Sequence, residues 1–253
     1  LISQEGHPMG LRMQQLMDRN GPTALVNGYS DPAGNAAVQH SDAGGLPDNA
    51  LGGATKRLAD IALAVLALII LFPLLVGIAI LVRASGPGPV FYGHERVGFG
   101  GRRFRCYKFR TMVTDGDRVL EDYLSRFPAE REVWLAERKL RDDPRVTPVG
   151  AILRKLSIDE LPQLYNIIVG HMSIVGPRPV VAEELKNYGG SAIHYMRTRP
   201  GLTGLWQVSG RNDTSYRQRV LLDRLYVLRW SLLLDVRIVL LTIPAVLTSR
   251  GAR

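Results

Sequence analysis

A chain of 253 residues can bury a real core, and its length suits one domain with an appendage better than two full domains. A formal charge of +9 favours an anionic partner: nucleic acid, acidic phospholipid or phosphorylated small molecules. Cys106 is the only cysteine, which excludes an intrachain disulfide and a cysteine-based zinc site.

Residues 1–55 are rich in Gly, Asn, Asp, Pro and Ala and have no sustained apolar period. Asn20-Gly21-Pro22, Asp31-Pro32 and Gly44-Gly45-Leu46-Pro47 are turn signals. A disordered tail is expected here, with one short helix around residues 10–19. Arg12 and Arg19 are outnumbered by Glu5, Asp18, Asp31, Asp42 and Asp48, so the basic surplus belongs to the rest of the chain.

Residues 61–82 contain no charge and are nearly all Ala, Leu, Ile and Val. Roughly 20 apolar residues cross a bilayer core, so this is a membrane helix by length; a buried helix of a soluble protein is the bland alternative. Lys56 and Arg57 precede the run, while Arg83, Arg96, Arg102, Arg103 and Arg105 come after it, so charge marks no inside end. Pro73 lies mid-run, where it removes a backbone donor and bends or breaks a helix. A spanning helix and a helix-break-helix that leaves by the face it entered both stay open. The expected division is a tail over 1–55, the membrane element over 56–84 and a compact domain over 85–253.

Ser85-Gly86-Pro87-Gly88-Pro89 ends the apolar element. Residues 90–95 and 103–109 read as two strands around the turn Gly98-Phe99-Gly100-Gly101, whose glycines lack the strand–helix context of a dinucleotide site. Lys108 and Arg110 extend a basic stretch with Arg102, Arg103 and Arg105; attraction to lipid headgroups alone, about 1 kcal/mol per basic residue, would explain it equally. Residues 115–140 suit one or two surface helices. Residues 158–168 suit a helix with Pro162 in its first turn, and a start near Ser157 would turn its dipole toward anions. Gly176-Pro177-Arg178-Pro179 is expected as a fixed extended loop, and residues 199–212, ending in Gly210-Arg211-Asn212, as a Gly-rich binding loop. Residues 216–230 form an amphipathic basic helix by spacing. Residues 231–247 are apolar but interrupted by Asp235, Arg237 and Pro244, which suits the plane of a membrane interface.

The chemistry concentrates in Leu153-Arg154-Lys155-Leu156-Ser157-Ile158-Asp159-Glu160-Leu161-Pro162. An adjacent acid pair is most often a solvated surface. Among arginines and lysines, however, one carboxylate can attack phosphorus while its neighbour supports a divalent cation. Arginines supply planar clamps for phosphate oxygens.

From Lys56 to about residue 247 the chain resembles the bacterial polyprenyl-phosphate sugar-1-phosphate transferases, the monotopic phosphoglycosyl transferases that prime surface glycans. The resemblance rests on Lys56-Arg57-Leu58-Ala59-Asp60, Tyr107-Lys108-Phe109-Arg110-Thr111-Met112, the Asp159 motif, Met172-Ser173-Ile174-Val175-Gly176-Pro177-Arg178-Pro179, residues 200–212 and Leu222-Asp223-Arg224-Leu225-Tyr226-Val227, in the family order. It implies transfer of a hexose-1-phosphate, galactose or glucose, from a UDP-sugar to undecaprenyl phosphate, with release of UMP, through a phosphosugar-enzyme intermediate and with magnesium (or manganese). Asp159 would be the nucleophile, and Glu160, with Asp159, would support the metal. Arg154 would orient the pair. Lys108, Arg110, Arg178 and Arg211 would contact substrate, Asp235 would assist the site, and Asp223 is a further candidate. The implied fold is α-rich α+β: a re-entrant, Pro-broken membrane helix, then a cytosolic domain with a small β-hairpin and interfacial amphipathic helices. The implied location is the bacterial inner membrane, facing the cytoplasm, with membrane phospholipid and downstream glycosyltransferases as neighbours. The general style suggests the small, exopolysaccharide-priming form without the extra N-terminal multi-span region of larger relatives.

Two positions depart from the pattern. Phe72 stands before Pro73 where Ser is common, and His171 stands where Asp is common, so His171 reads as a surface turn residue. The alternative function is a non-catalytic membrane-tethered module binding anionic lipid or a polysaccharide-assembly partner; loss of Asp159 or Glu160 would mark it, and both are present. A nucleic-acid partner is not expected, because the basic stretch has no recognisable binding fold and the apolar run would stay unexplained.

Overall fold

The apolar run forms the longest helix of the computed structural model, α1 (Gly53–Ala84), of 32 residues. The structure describes residues 48–137, 140–209 and 215–247; residues 1–47 of the tail expected over 1–55, with the short helix expected around 10–19, and the polar cluster at residues 210–212 lie outside them. Ala50 is buried and Leu51 donates its N–H to Arg197 O at 3.0 Å, so the fold reaches back past the expected boundary at Lys56. Helical geometry runs through Pro73 without interruption, so the one long apolar helix is present without the break that the resemblance implied at that residue. A proline deletes one backbone hydrogen bond, and so long an apolar helix absorbs that loss without ending. α1 is the one helix among the described residues long and apolar enough to cross a membrane.

Register along α1 decides how it packs. Ala64, Ala67 and Leu68 meet Phe104, Cys106, Leu164, Ile167 and Met172. Further along, Leu75, Ile78, Ala79 and Val82 meet Phe109 and Leu153. These positions recur every three or four residues and form one narrow stripe. Leu66, Ile69, Ile70, Phe72 and Ile80, off the stripe, are each more than half exposed. Both ends of the helix are therefore held by the same domain.

Charged side chains fix its start. Lys56 Nζ lies 2.6 Å from Asp235 Oδ2, with both groups buried. Asp60 Oδ1 accepts from Ser173 Oγ and from the Ile174 N–H, each at 3.0 Å. Arg57 donates to Ile167 O and Ile168 O at 2.5 and 2.7 Å, satisfying carbonyls that a helix end leaves open.

The expected hairpin is present: β1 (Phe91–Val97) pairs antiparallel with β2 (Arg103–Phe109), Arg96 lying opposite Phe104 and Tyr92 opposite Lys108. Gly100 and Gly101 supply the positive φ angles of the turn, 67° and 75°. Two helices come next, α2 (Gly116–Arg126) and α3 (Pro128–Glu137), as the sequence suggests. α4 (Pro148–Lys155) leads into the acidic motif, and α5 (Gln163–Ile168) leaves it.

Beyond α5 the fold is richer than expected. β3 (Ser173–Val175) and β4 (Gly201–Thr203) form a parallel pair, with α6 (Ala182–Lys186) and α7 (Ala192–Met196) in the connection. The stretch expected as a plain Gly-rich loop thus holds β4 and the single-turn α8 (Leu205–Val208). Its glycines serve close backbone approach: a Cβ on Gly201 would strike the Gly176 amide nitrogen, and one on Gly204 the Gly176 carbonyl. α9 (Tyr216–Leu228) opens on a capping box between Ser215 and Gln218. α10 (Leu232–Leu247) buries Asp235 and Ile238 but exposes Leu233, Val236, Leu240 and Ile243, an amphipathic arrangement as expected.

Candidate active site

Asp159 owes its position to the end of α4. Thr147 caps that helix, its Oγ1 accepting from the Gly150 N–H at 2.9 Å, and Pro148 occupies the first turn. Gly150 is there because any Cβ would collide with the Thr111 backbone. α4 therefore lies against the chain that leaves β2, and Thr147 N–H donates to Thr111 O at 3.0 Å. After Lys155 the helix stops at Ser157, whose φ of 55° is the one positive value among the described non-glycine residues. Such a conformation costs on the order of 1 kcal/mol or more and is often stored at functional sites. It throws Asp159 and Glu160 onto a single 3₁₀ turn, Ile158–Glu160. The α-helix expected to begin near Ser157 starts only at Gln163, so its dipole does not serve the pair. Leu164 and Ile167 anchor the turn in the core, while Leu161 is only half-buried.

Lys108 reaches the pair from β2. Phe104, Cys106 and Lys108 alternate along one face of that strand, and two of the three are core residues. The lysine is thus directed inward, with Nζ 2.5 Å from Glu160 Oε1 and 3.9 Å from Asp159 Oδ2. Arg154 approaches from α4, its Nε donating to Thr111 Oγ1 at 2.9 Å. Burial raises the Asp159 pKa above the ordinary carboxylate value; Lys108 and Arg154 oppose this, and the Glu160 charge reinforces it.

These groups border a polar cavity lined by Arg96, Lys108, Glu160, Gln163, Arg178 and Gln207, with Pro179, Gly201, Leu202 and Cys106 completing its wall. The structure thereby brings together Lys108, Glu160 and Arg178 from distant parts of the sequence, with Asp159 and Arg154 beside them. Arg178 stacks on Trp206, its guanidinium carbon 5.4 Å from the ring centroid, and Arg219 stacks on the same ring at 4.6 Å. Sequence reasoning alone does not single out Arg96, Gln163 or Gln207. Arg96 was legible only through strand register, since it lies opposite Phe104 on the inward face.

Two expected site residues belong elsewhere. Arg110 spends its guanidinium on backbone carbonyls, Val82 O and Gly86 O at 2.8 Å each and Pro87 O, which fastens the end of α1 to β2. Asp235 is saturated by Lys56, by Tyr226 OH at 2.8 Å and by Trp230 Nε1 at 3.1 Å, and so holds the start of α1. Arg211 lies outside the described residues. Asp223 is buried beneath the Arg178 loop, accepts from Tyr188 OH at 2.8 Å, and has its pKa pushed up to about 7, chiefly by burial. His171 is exposed, as expected for a surface turn residue.

Asp159 and Glu160 offer adjacent hard oxygen donors. No group of three or more His, Cys, Asp or Glu side chains converges among the described residues. Two carboxylates nevertheless suit magnesium, which commonly takes one or two of them and completes its shell with water and substrate phosphates.

Comparison with known proteins converges on one family. A family model described as bacterial sugar transferase matches residues 51–249. The exopolysaccharide production protein ExoY of Sinorhizobium fredii is 58% identical over 202 residues, 80% of this chain and 89% of that protein. The undecaprenyl-phosphate galactose phosphotransferase of Salmonella typhimurium is 47% identical over 197 residues, covering 78% of this chain and 41% of its own length. A UDP-glucose:undecaprenyl-phosphate glucose-1-phosphate transferase of Xanthomonas campestris is 39% identical over 236 residues, 90% of this chain and 46% of that protein.

Proposed function

The chain belongs to the bacterial sugar transferase family, and from that premise we propose that it transfers a hexose-1-phosphate from a UDP-sugar to undecaprenyl phosphate. The sugar is galactose or glucose, in line with the names of its relatives. The product primes exopolysaccharide synthesis for downstream glycosyltransferases, consistent with the relative of that name. The observation that carries the chemistry is the buried Asp159 beside Glu160, with the Lys108 ammonium facing both.

An ionised Asp159 oxygen attacks the phosphorus attached to the sugar. The bond from that phosphorus to the bridging oxygen breaks, and UMP leaves with the electron pair. An oxygen of undecaprenyl phosphate then attacks the same phosphorus, and the Asp159 carboxylate departs. Each displacement exchanges one P–O bond for another, so neither needs a net proton. Splitting the transfer this way replaces one hard step with two easier ones. Lys108 and Arg154 hold negative charge near the reacting carboxylate, and Arg178 faces the phosphate oxygens. A magnesium or manganese ion held by Glu160 with Asp159 would neutralise diphosphate charge as the leaving group departs.

The packing of α1 supports a monotopic placement. Both ends of the helix lie on one domain, so a bilayer takes up its exposed apolar side from a single face. The domain then stands on the cytoplasmic surface of the inner membrane, where UDP-sugar is available and the lipid phosphate is within reach.

The test is to incubate purified protein with magnesium and UDP-galactose or UDP-glucose labelled in the sugar, without acceptor lipid. Label is expected on the protein and absent from Asp159→Asn. Equal labelling of that variant overturns the nucleophile assignment.

A further inference from the structure

We propose that Arg96 is a further phosphate-binding residue of this site, closing with Arg178 as a two-guanidinium clamp on the donor diphosphate. The inference rests on the reading of the cavity as the site for a UDP-sugar. Strand register puts Arg96 there: it lies opposite Phe104, one of the inward row that continues to Cys106 and Lys108. It lines the same cavity as Lys108, Glu160 and Arg178.

What singles it out is the distribution of partners. Lys108 is already paired with Glu160 at 2.5 Å. The acid next to Arg96 in sequence, Glu95, pairs instead with Arg103 at 2.9 Å on the exposed side of the hairpin. Arg96 has no hydrogen bond or ion pair to any acceptor among the described residues, and the Arg178 guanidinium makes only its stack on Trp206. Two half-buried guanidinium groups thus face one cavity, neither with a hydrogen-bonded acceptor among the described residues. The Arg178 pKa is lowered by burial first and then by Arg219; Glu160 and Glu184 oppose this, and Arg96 adds a smaller push downward. Converging cations with unused planar donors are stabilised by an anion that several oxygens can share, and a diphosphate has that shape and charge. Pro179 and Leu202 add apolar wall to the cavity, and charges interact more strongly beside apolar surface than in open water.

Inorganic pyrophosphate is the probe, because it carries the diphosphate without sugar or base. Its affinity is measured by calorimetry on wild type, Arg96→Gln, Arg96→Lys and Arg103→Gln, alongside KM and kcat for the labelled UDP-sugar. Losing a hydrogen-bonded charge pair predicts that Arg96→Gln weakens pyrophosphate about tenfold or more. KM for the donor rises with it, Arg96→Lys recovers part of the loss, and Arg103→Gln stays within about twofold. Thermal melts check folding; if Arg96→Gln does not fold, the comparison of Arg96→Lys with Arg103→Gln decides. Unchanged pyrophosphate affinity in a folded Arg96 variant overturns the assignment. That result beside normal sugar transfer by wild type leaves the proposed function standing. Weakened pyrophosphate binding, with no sugar transfer by wild type, supports the clamp and sinks the function instead.

Discussion

Lys108 donates a 2.5 Å hydrogen bond to Glu160, and the same ammonium lies 3.9 Å from Asp159. One cation thus serves two carboxylates in different surroundings, the first half-buried and the second buried. Burial raises the Asp159 pKa, and Lys108 is the strongest influence working against it. Removing the ammonium therefore pushes Asp159 higher still. Lys108→Met should slow protein labelling by about 10- to 100-fold near neutral pH, as expected for losing a charge close to a reacting group. It should also move the acid limb of the rate profile upward. A loss that is uniform in pH would mean that Lys108 binds substrate without tuning the nucleophile.

Wild type itself should show an acid limb above the ordinary carboxylate range of about 3.9. Attack needs the ionised carboxylate, the Asp159 pKa is raised, and activity accordingly falls as pH drops through that raised value. Single-turnover labelling between pH 4 and 8 measures the limb without interference from acceptor binding. A limb at the ordinary carboxylate value would show that Asp159 is more solvated in the working enzyme than its burial suggests.

Asp223 offers a stability test of the same physics. Its pKa is raised from 3.8 to about 7, chiefly because ionisation is penalised in the interior. A carboxyl raised in the folded state stabilises fully below its unfolded pKa, and that contribution is lost as pH rises through the folded value. The Tm of wild type relative to Asp223→Asn should therefore decline between pH 4 and pH 7 and level off above. A difference that stays flat across this range would show that Asp223 is ionised throughout.

The central motif was legible because its residues are close in sequence: Arg154, Ser157, Asp159 and Glu160 fall within one helix end and one turn. Lys108 was legible from the motif that the resemblance rests on, and alternation with Phe104 and Cys106 along β2 is what turns it inward. Arg110 and Asp235 were expected in the site on the same ground as Lys108, the family motifs in which these charged groups fall. Sequence spacing does not reveal whether such a group meets a ligand, a carbonyl or a counter-ion 179 residues away, as Lys56 and Asp235 do. The β3–β4 pair escaped notice because each strand is three residues long and its signal is the close approach of Gly176 to Gly201. Arg96 escaped because register, and not composition, turns it inward.

The Lys56–Asp235 pair predicts an asymmetry between breaking and replacing. Asp235→Asn leaves a buried ammonium without its counter-charge, and loss of one partner of a buried pair typically costs about 3–5 kcal/mol. Lys56→Met alone leaves Asp235 with donors from Tyr226 and Trp230 and should cost less. The double variant Lys56→Met/Asp235→Asn should be more stable than Asp235→Asn. Denaturation in detergent measures all three, and strictly additive losses would mean that the two groups do not interact.

The last prediction concerns how α1 meets the bilayer. A helix of 32 residues is about 48 Å long at 1.5 Å per residue, ample to cross a hydrocarbon core of about 30 Å. Length therefore favours spanning, and packing opposes it, because one stripe from Ala64 to Val82 stays on the domain. Asp48 and Pro87 flank the helix and are both exposed, while the native Cys106 is buried and its thiol pushed up to about 11, which slows its reaction. Cysteine introduced separately as Asp48→Cys or Pro87→Cys can thus report each side against a low background. With an impermeant maleimide, neither position should react in intact spheroplasts, and both should react in inverted membrane vesicles. Reaction of one position from each side would establish a spanning helix and require the seam on the domain to open in the membrane.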